Sequence, residues 1–172
     1  MIQKTAPRIV FIDLRQDDPR RSTMRKLARF GMATVVSRIQ ICRSIVMNPF
    51  SAEVLTGCDS DIAVKSGIGV VEGSWKRIGN EELPKCRFQR RLPLLVPVNP
   101  VNYGHVGLMS SAEAVAAALY ITGFHEMAES VMGKFSWGKE FIGLNYPYLS
   151  GYIKCKDQKC IEEYERRYFN LP

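Results

Sequence analysis

The chain has no apolar run approaching the ~20 residues that a bilayer-spanning helix needs. Its opening stretch, MIQKTAPRIVFIDL, lacks the charged, apolar and small-residue zones of a secretory signal. A soluble, cytoplasmic protein with no membrane partner is expected. Histidine is scarce, with 2 in 172 residues, and the 5 cysteines (Cys42, Cys58, Cys86, Cys155 and Cys160) are odd in number and scattered. Cys155 and Cys160 form the one close pair, with no second pair or neighbouring histidine to complete a zinc set, so no metal is expected. The same scatter argues against a disulfide framework in a reducing compartment. No GKS or GKT segment is present, which removes the P-loop nucleotidases. Gly67 and Gly69 open like a dinucleotide fingerprint, but Glu72 stands at the third glycine position and the glycines precede a strand instead of following one. Internal repeats and low-complexity tracts are also missing.

What is present suits an ordinary folded protein. A 172-residue chain that is 46% hydrophobic can bury a full core without metal or disulfide staples. Lysine and arginine outnumber the acids 24 to 17, a formal charge of +7 that favours a polyanionic partner. The excess is clustered. Arg20, Arg21, Arg25, Lys26 and Arg29, with Arg38 further on, fall on or after one short predicted helix, and Lys76, Arg77, Lys85, Arg87, Arg90 and Arg91 form a second group. Such faces are either solvated or built to follow a phosphate backbone.

Hydrophobic pattern and punctuation predict an alternation of strands and helices up to residue 99. RIVFIDL (8–14), MATVVS (32–37), SIVMNPF (44–50), IGVVEGS (68–74) and PLLVPVN (93–99) read as buried strands. Between them, DDPRRSTMRKLARFG carries Asp17 or Asp18 as N-cap, Pro19 in the first turn and Gly31 as stop; Asp59 or Ser60 opens a short helix ending near Gly67; SWKRIGNEEL reads as another helix. Strands without a polar face argue for a parallel sheet covered on both sides. From residue 100 the pattern is helical: Ser110 or Ser111 caps SSAEAVAAALYITGF, Gly133, Gly138 and Pro147 interrupt the next stretch, and DQKCIEEYERRYFN closes the chain. The expected fold class is α/β, with an N-terminal parallel sheet and flanking helices over residues 1–99 and an all-helical C-terminal domain over residues 100–172.

Ligands of open parallel sheets sit beyond the carboxyl ends of the strands. Met47, Pro49, Trp75, Leu95 and Met109 fall there and are equally able to wall a slot for a purine or to pack as core. Glu72, ending the apolar strand in VVEGSW, is costly to bury unless donors or a cation meet it; a solvated strand end is the plain alternative.

RRLPLLVPVNPVNYG, followed by SSAEAVAAALYITGF and KFSWGKEFIGLN, resembles the ribosomal small-subunit RNA aminocarboxypropyltransferase family, and the likeness extends from about DDPRRSTMRKLARFG to Asn145. Members attach the 3-amino-3-carboxypropyl group of S-adenosylmethionine to a methylated pseudouridine. The resemblance implies a SPOUT-like fold with a deep trefoil knot, S-adenosylmethionine as group donor, and small-subunit rRNA or the pre-ribosomal small subunit as partner of a monomeric enzyme. It implies that Thr23 and Ser111 hold the cofactor carboxylate. It places Met47, Pro49, Leu95, Met109 and Ala114 around the adenine, a backbone contact at Gly107, and the Val71 carbonyl at the ribose. Glu72 and Trp75 match the acid and the tryptophan of a motif usually DCSW, here EGSW, and are the candidate catalytic pair. Arg20, Arg21, Arg25, Lys26 and Arg29 would bind RNA. Two departures bear on the chemistry: glutamate replaces aspartate at 72, and STM stands where Cys-Thr-Gly or Cys-Ser-Gly is usual. Competing readings are a SPOUT-class RNA methyltransferase, a basic ribosome-assembly factor without catalysis, and a small metabolic enzyme, for which the basic clusters would be surplus.

Overall fold

The structure is a computed structural model and describes residues 5–16 and 18–171. Five strands, β1 (Ile9–Asp13), β2 (Thr34–Val35), β3 (Ile45–Met47), β4 (Ile68–Glu72) and β5 (Gln89–Arg90), form one sheet in the order β2-β1-β4-β3-β5. Every pairing is parallel. The period of two along a strand sorts the side chains. Ile9 and Phe11 of β1, Ile45 and Met47 of β3, and Ile68 and Val70 of β4 join the large core, while Ile12 and Val46 meet Ile41 on the other face. Helix α1 (Thr23–Arg29) and the C-terminal helices cover the first face, and α2 (Arg38–Ile41) lies on the second.

β1 and β4 register Asp13 beside Glu72, so the two central strands end in neighbouring carboxylates. The turn into β4 requires Gly67: its φ is +87°, and a Cβ there would stand 2.7 Å from the Arg8 carbonyl oxygen. α3 (Ser60–Ser66) runs into this glycine.

Four helices follow: α4 (Ser111–Ile121), α5 (His125–Met132), α6 (Lys139–Tyr152) and α7 (Gln158–Phe169). α4 is nearly buried all round, with Val115, Ala116, Ala117, Ala118 and Leu119 fully covered, because it is held between the sheet, α1, α5 and α6. A single apolar cluster runs from Ile9 and Val70 in the sheet to Phe141, Tyr152 and Ile161 in the last helices.

Several expectations are corrected. α1 is capped by Ser22, whose hydroxyl accepts from the Arg25 N–H, and not by Asp18, which instead closes a turn by accepting from Arg20; Asp17 lies outside the described residues. β2 is an exposed edge of two residues, not a buried strand. SWKRIGNEEL makes one turn and stops, since the Glu82 side chain takes the Gly79 N–H at 2.6 Å. The last strand is Gln89–Arg90, and PLLVPVN is extended without a ladder. Pro93 and Pro97 have no N–H to give, and several of the other backbone groups are met by side chains: Leu94 N–H by Glu165, both polar groups of Val96 by Asn145, the Leu94 carbonyl by the Tyr152 hydroxyl; the Leu95 and Pro97 carbonyls accept from the Gly107 and Gly104 N–H groups of the following loop. The cysteines also depart from expectation. Cys42–Cys86 and Cys155–Cys160 are disulfides, with Cα atoms 4.9 and 5.4 Å apart, and Cys58 is free. The first pair is separated by 44 residues and is brought together only by the packing of α2 against the segment before β5.

Candidate functional site

Beyond the strand ends lies a cleft of about 1040 Å³, large enough for a nucleoside-sized molecule with room beside it. One wall is the start of α1 and the ends of β3 and β4; the other is the 92–111 segment leading into α4. Thr23, Met47, Pro49, Val71, Glu72, Trp75, Gly107, Met109, Ser111 and Ala114 all line it. Leu95 does not: it is fully buried behind the wall, and its carbonyl accepts the Gly107 N–H at 2.9 Å, with Gly107 at φ +82° turning the loop back.

At the floor, four donors converge on Glu72. The Met24 N–H gives 2.8 Å to Oε2, the Ser22 and Thr23 hydroxyls give 3.1 and 3.3 Å to the same oxygen, and the Ser111 hydroxyl gives 3.2 Å to Oε1. Thr23 also accepts from the Ala112 N–H at 3.1 Å, tying α1 to α4. Burial pushes the Glu72 carboxyl above the ordinary carboxylate range, and these donors oppose the shift without cancelling it. The neighbouring Asp13 is paired with the Arg25 guanidinium and accepts the Arg15 N–H at 2.8 Å.

Trp75 is 38% exposed and reaches across the cleft: its indole N–H donates to the Met109 carbonyl at 2.9 Å, joining the β4 exit to the loop before α4. That loop is held from below by a residue that motif reasoning did not single out. Glu113 is fully buried and accepts from the Val98 and Asn99 N–H groups, the Asn99 amide, and the Ser110 N–H and hydroxyl, at 2.7–3.0 Å. Its place three residues after Ser110 is the capping-box signature, which was readable; its reach to residues 98 and 99 was not.

The basic residues divide. Arg20, Arg21, Arg25 and Lys26 line the cleft. Arg29 faces an adjoining groove that Arg15, Arg20, Arg25 and Arg38 also border, so the two depressions share the wall around Pro19 and Arg20. Of the second sequence cluster, Arg90 and Arg91 are structural and not part of a free basic face: Arg90 pairs with Glu53 and Asp59, and Arg91 makes a two-pronged bond to Glu165 at 2.8 and 3.1 Å. Among the described residues, no group of three or more His, Cys, Asp or Glu is placed to hold a metal, and no helix is long and apolar enough to cross a membrane.

A parallel sheet with a ligand-sized cleft at its carboxyl edge and a basic rim defines a class, that of α/β proteins handling a small nucleotide-like molecule beside a polyanion. Residues 45–169 match the family described as "Ribosome biogenesis protein, C-terminal". The chain is 44% identical over 161 residues to the 16S rRNA aminocarboxypropyltransferase of Thermoplasma volcanium, covering 94% of this chain and 98% of that one. It is 34% identical over 165 residues to the enzyme of the same name from Methanothermobacter thermautotrophicus, with the same coverage. Its fold superposes on the SAM-dependent rRNA:acp-transferase Tsr3 from Vulcanisaeta distributa with a TM-score of 0.81, at 36% identity over 97% of this chain and 100% of the other. The chain belongs to the 16S rRNA aminocarboxypropyltransferase family.

Proposed function

We propose that this protein transfers the 3-amino-3-carboxypropyl group of S-adenosylmethionine to a methylated pseudouridine of small-subunit rRNA during ribosome biogenesis. The ring nitrogen attacks the methylene carbon of the 3-amino-3-carboxypropyl group that is bonded to the sulfonium. The carbon–sulfur bond breaks with its electron pair going to sulfur, methylthioadenosine leaves, and the ring proton passes to solvent or a nearby base. The sulfonium brings its own leaving group, so the protein's task is placement and exclusion of water. The observation that carries the reading, beyond family membership, is the floor of the cleft: three hydroxyls and an amide already hold a carboxylate, that of Glu72, which stands in for an amino-acid carboxylate.

In this reading Thr23 and Ser111 bind the carboxylate end, and Met47, Pro49, Met109 and Ala114 flank the adenine with Leu95 behind them. Gly107 and Val71 contribute backbone atoms. Trp75, pinned to Met109, fixes the sulfonium's orientation; Glu72 lies at the carboxylate end of the site. Arg20, Arg21, Arg25, Lys26 and Arg29 hold RNA phosphates along the cleft rim and the adjoining groove. The finer topology, a SPOUT-like trefoil knot, belongs to the same proposal and rests on the resemblance. So do a monomeric state, a cytoplasmic setting, the pre-ribosomal small subunit as partner, and a division of labour at residue 99/100.

The test is incubation with carboxyl-labelled S-adenosylmethionine and small-subunit RNA. Label in the RNA with equimolar methylthioadenosine is expected. S-adenosylhomocysteine as the by-product would make the protein a methyltransferase, and no turnover with no nucleoside binding would leave an assembly factor.

A further inference from the structure

Glu72 is bound by the same atoms that the proposed function assigns to the donor's carboxylate. Oε2 takes the Met24 N–H and the Ser22 and Thr23 hydroxyls, and Oε1 takes the Ser111 hydroxyl. Thr23 has used its one donor in this arrangement, donating to Glu72 while accepting from the Ala112 N–H. A second carboxylate cannot enter: the donors are spent, and two anions sharing one set of hydroxyls repel. From the geometry we infer that Glu72 is an internal competitor for the carboxylate subsite, so that a ligand carrying an amino-acid tail binds only when the Glu72 side chain leaves the hydroxyls of Ser22, Thr23 and Ser111.

The inference rests on the functional reading above and adds a mechanism of selection to it. A site free only a fraction of the time lowers the apparent affinity by that fraction, so a cradle open about a tenth of the time costs a tailed ligand about tenfold. A ligand without the tail pays nothing. The product nucleoside, methylthioadenosine, has lost its tail and coexists with Glu72 in the cradle. Return of the side chain after transfer therefore refills the donors at once and removes the need for water to solvate them. Chain length matters here: glutamate reaches the Met24 N–H at 2.8 Å, whereas an aspartate carboxylate would stop about 1.5 Å short, beyond hydrogen-bonding range.

Calorimetric titration of the full-length protein with S-adenosylhomocysteine and with methylthioadenosine tests this. Both have a neutral sulfur, so attraction between Glu72 and a sulfonium does not enter; they differ in the tail. The parent is compared with Glu72→Gln and Glu72→Asp, methylthioadenosine serving as the check that each variant keeps a folded cleft. Expected is a methylthioadenosine affinity constant within about twofold in both variants and an S-adenosylhomocysteine affinity about tenfold higher in Glu72→Asp, whose carboxylate falls short of the cradle; glutamine keeps the length and an acceptor oxygen for the donors of Oε2, so Glu72→Gln gains less. An unchanged ratio of the two affinities in Glu72→Asp overturns the inference while leaving the function intact. A gain in Glu72→Gln alone also overturns it, since charge and not occupancy would then be the cause. A parent that binds neither nucleoside overturns the functional reading, and the inference with it.

Discussion

Glu113→Gln is the substitution that the structure makes most decisive. The carboxylate is fully buried and serves five donors: Val98 and Asn99 N–H on Oε1, and the Asn99 amide, the Ser110 N–H and the Ser110 hydroxyl on Oε2. A glutamine is almost the same shape but has one acceptor oxygen. Whichever way its amide is turned, at least two donors face an NH2 group. A buried donor left without a partner costs ~1–3 kcal/mol, so the change costs about 2–6 kcal/mol. That is a large share of the ~5–15 kcal/mol that holds a domain of this kind together. At about 2–4 °C per kcal/mol for a chain of this size, the melting temperature should fall by roughly 5–20 °C. Thermal unfolding followed by circular dichroism measures it, with Glu163→Gln on the exposed side of α7 as a control expected within about 0.5 kcal/mol of the parent. Because the orphaned donors belong to residues 98, 99 and 110, ligand affinity of the still-folded variant should weaken as well. A melting temperature within about 2 °C of the parent would refute the account of Glu113 as the anchor of this wall.

Trp75→Ala removes the bond to the Met109 carbonyl; in a variant shown to be folded, weaker cofactor binding or new S-adenosylhomocysteine is expected, and normal affinity with undiminished methylthioadenosine formation would refute its positioning role. Reversing Arg21, Lys26 and Arg29 together, sparing Arg25 because it pairs with Asp13, should weaken RNA binding and make the salt dependence shallower by about 2–3 in log–log slope; parental RNA affinity at equal salt would make these faces merely solvated. Glu72 has a raised carboxyl in the folded state, so the native chain holds its proton over a range where the unfolded chain has lost it, and stability should fall as pH rises from the usual carboxylate range through the folded value. Glu72→Gln should flatten that part of the stability–pH curve, and an unaltered slope would place the carboxylate in water. Replacing Cys42 and Cys86 together by serine, which opens a loop spanning 44 residues and leaves Cys155–Cys160 in place, should lower stability by about 4 kcal/mol, read as a drop in melting temperature.

The strands that were legible are those whose environment is uniform. IVFID, IVM and IGVVE are short β-branched runs buried on both faces, and they appear as β1, β3 and β4 within two or three residues of the expected bounds. The cap of α4 was legible to within one residue, Ser110 or Ser111, and the glutamate three residues after Ser110 is the local signal that selects the first. What failed depends on partners distant in sequence. PLLVPVN has a strand's composition, yet the hydrogen bonds of Leu94 and Val96 go to Glu165, Asn145 and Tyr152, between 49 and 71 residues away. Arg90 and Arg91 read as free charge because Asp59 and Glu165 lie 31 and 74 positions off. Cys42 and Cys86 read as unpaired for the same reason. At the candidate site, the residues picked out by pattern and resemblance line the cleft with the exception of Leu95, but neither could show that Glu72 accepts from Ser22, Thr23, Met24 and Ser111 at once.

The loss of a ladder in residues 92–99 has a further physical consequence. A strand in mid-sheet is fixed by its neighbours' backbones and tolerates most changes in side chain. This segment is fixed by side chains from three helices: Glu113 of α4, Asn145 and Tyr152 of α6, and Glu165 of α7. Each is buried, so each bond is shielded from competing water and costly to leave unmade. The shape of the cleft wall is therefore written largely in the C-terminal helices. The two-pronged bond from Arg91 to Glu165 closes the circuit, since it fastens the residue just after β5 to α7 and sets where the wall departs from the sheet. The helical half is then not a lid on a finished α/β site. It supplies the hydrogen bonds without which one side of the cleft has no defined backbone.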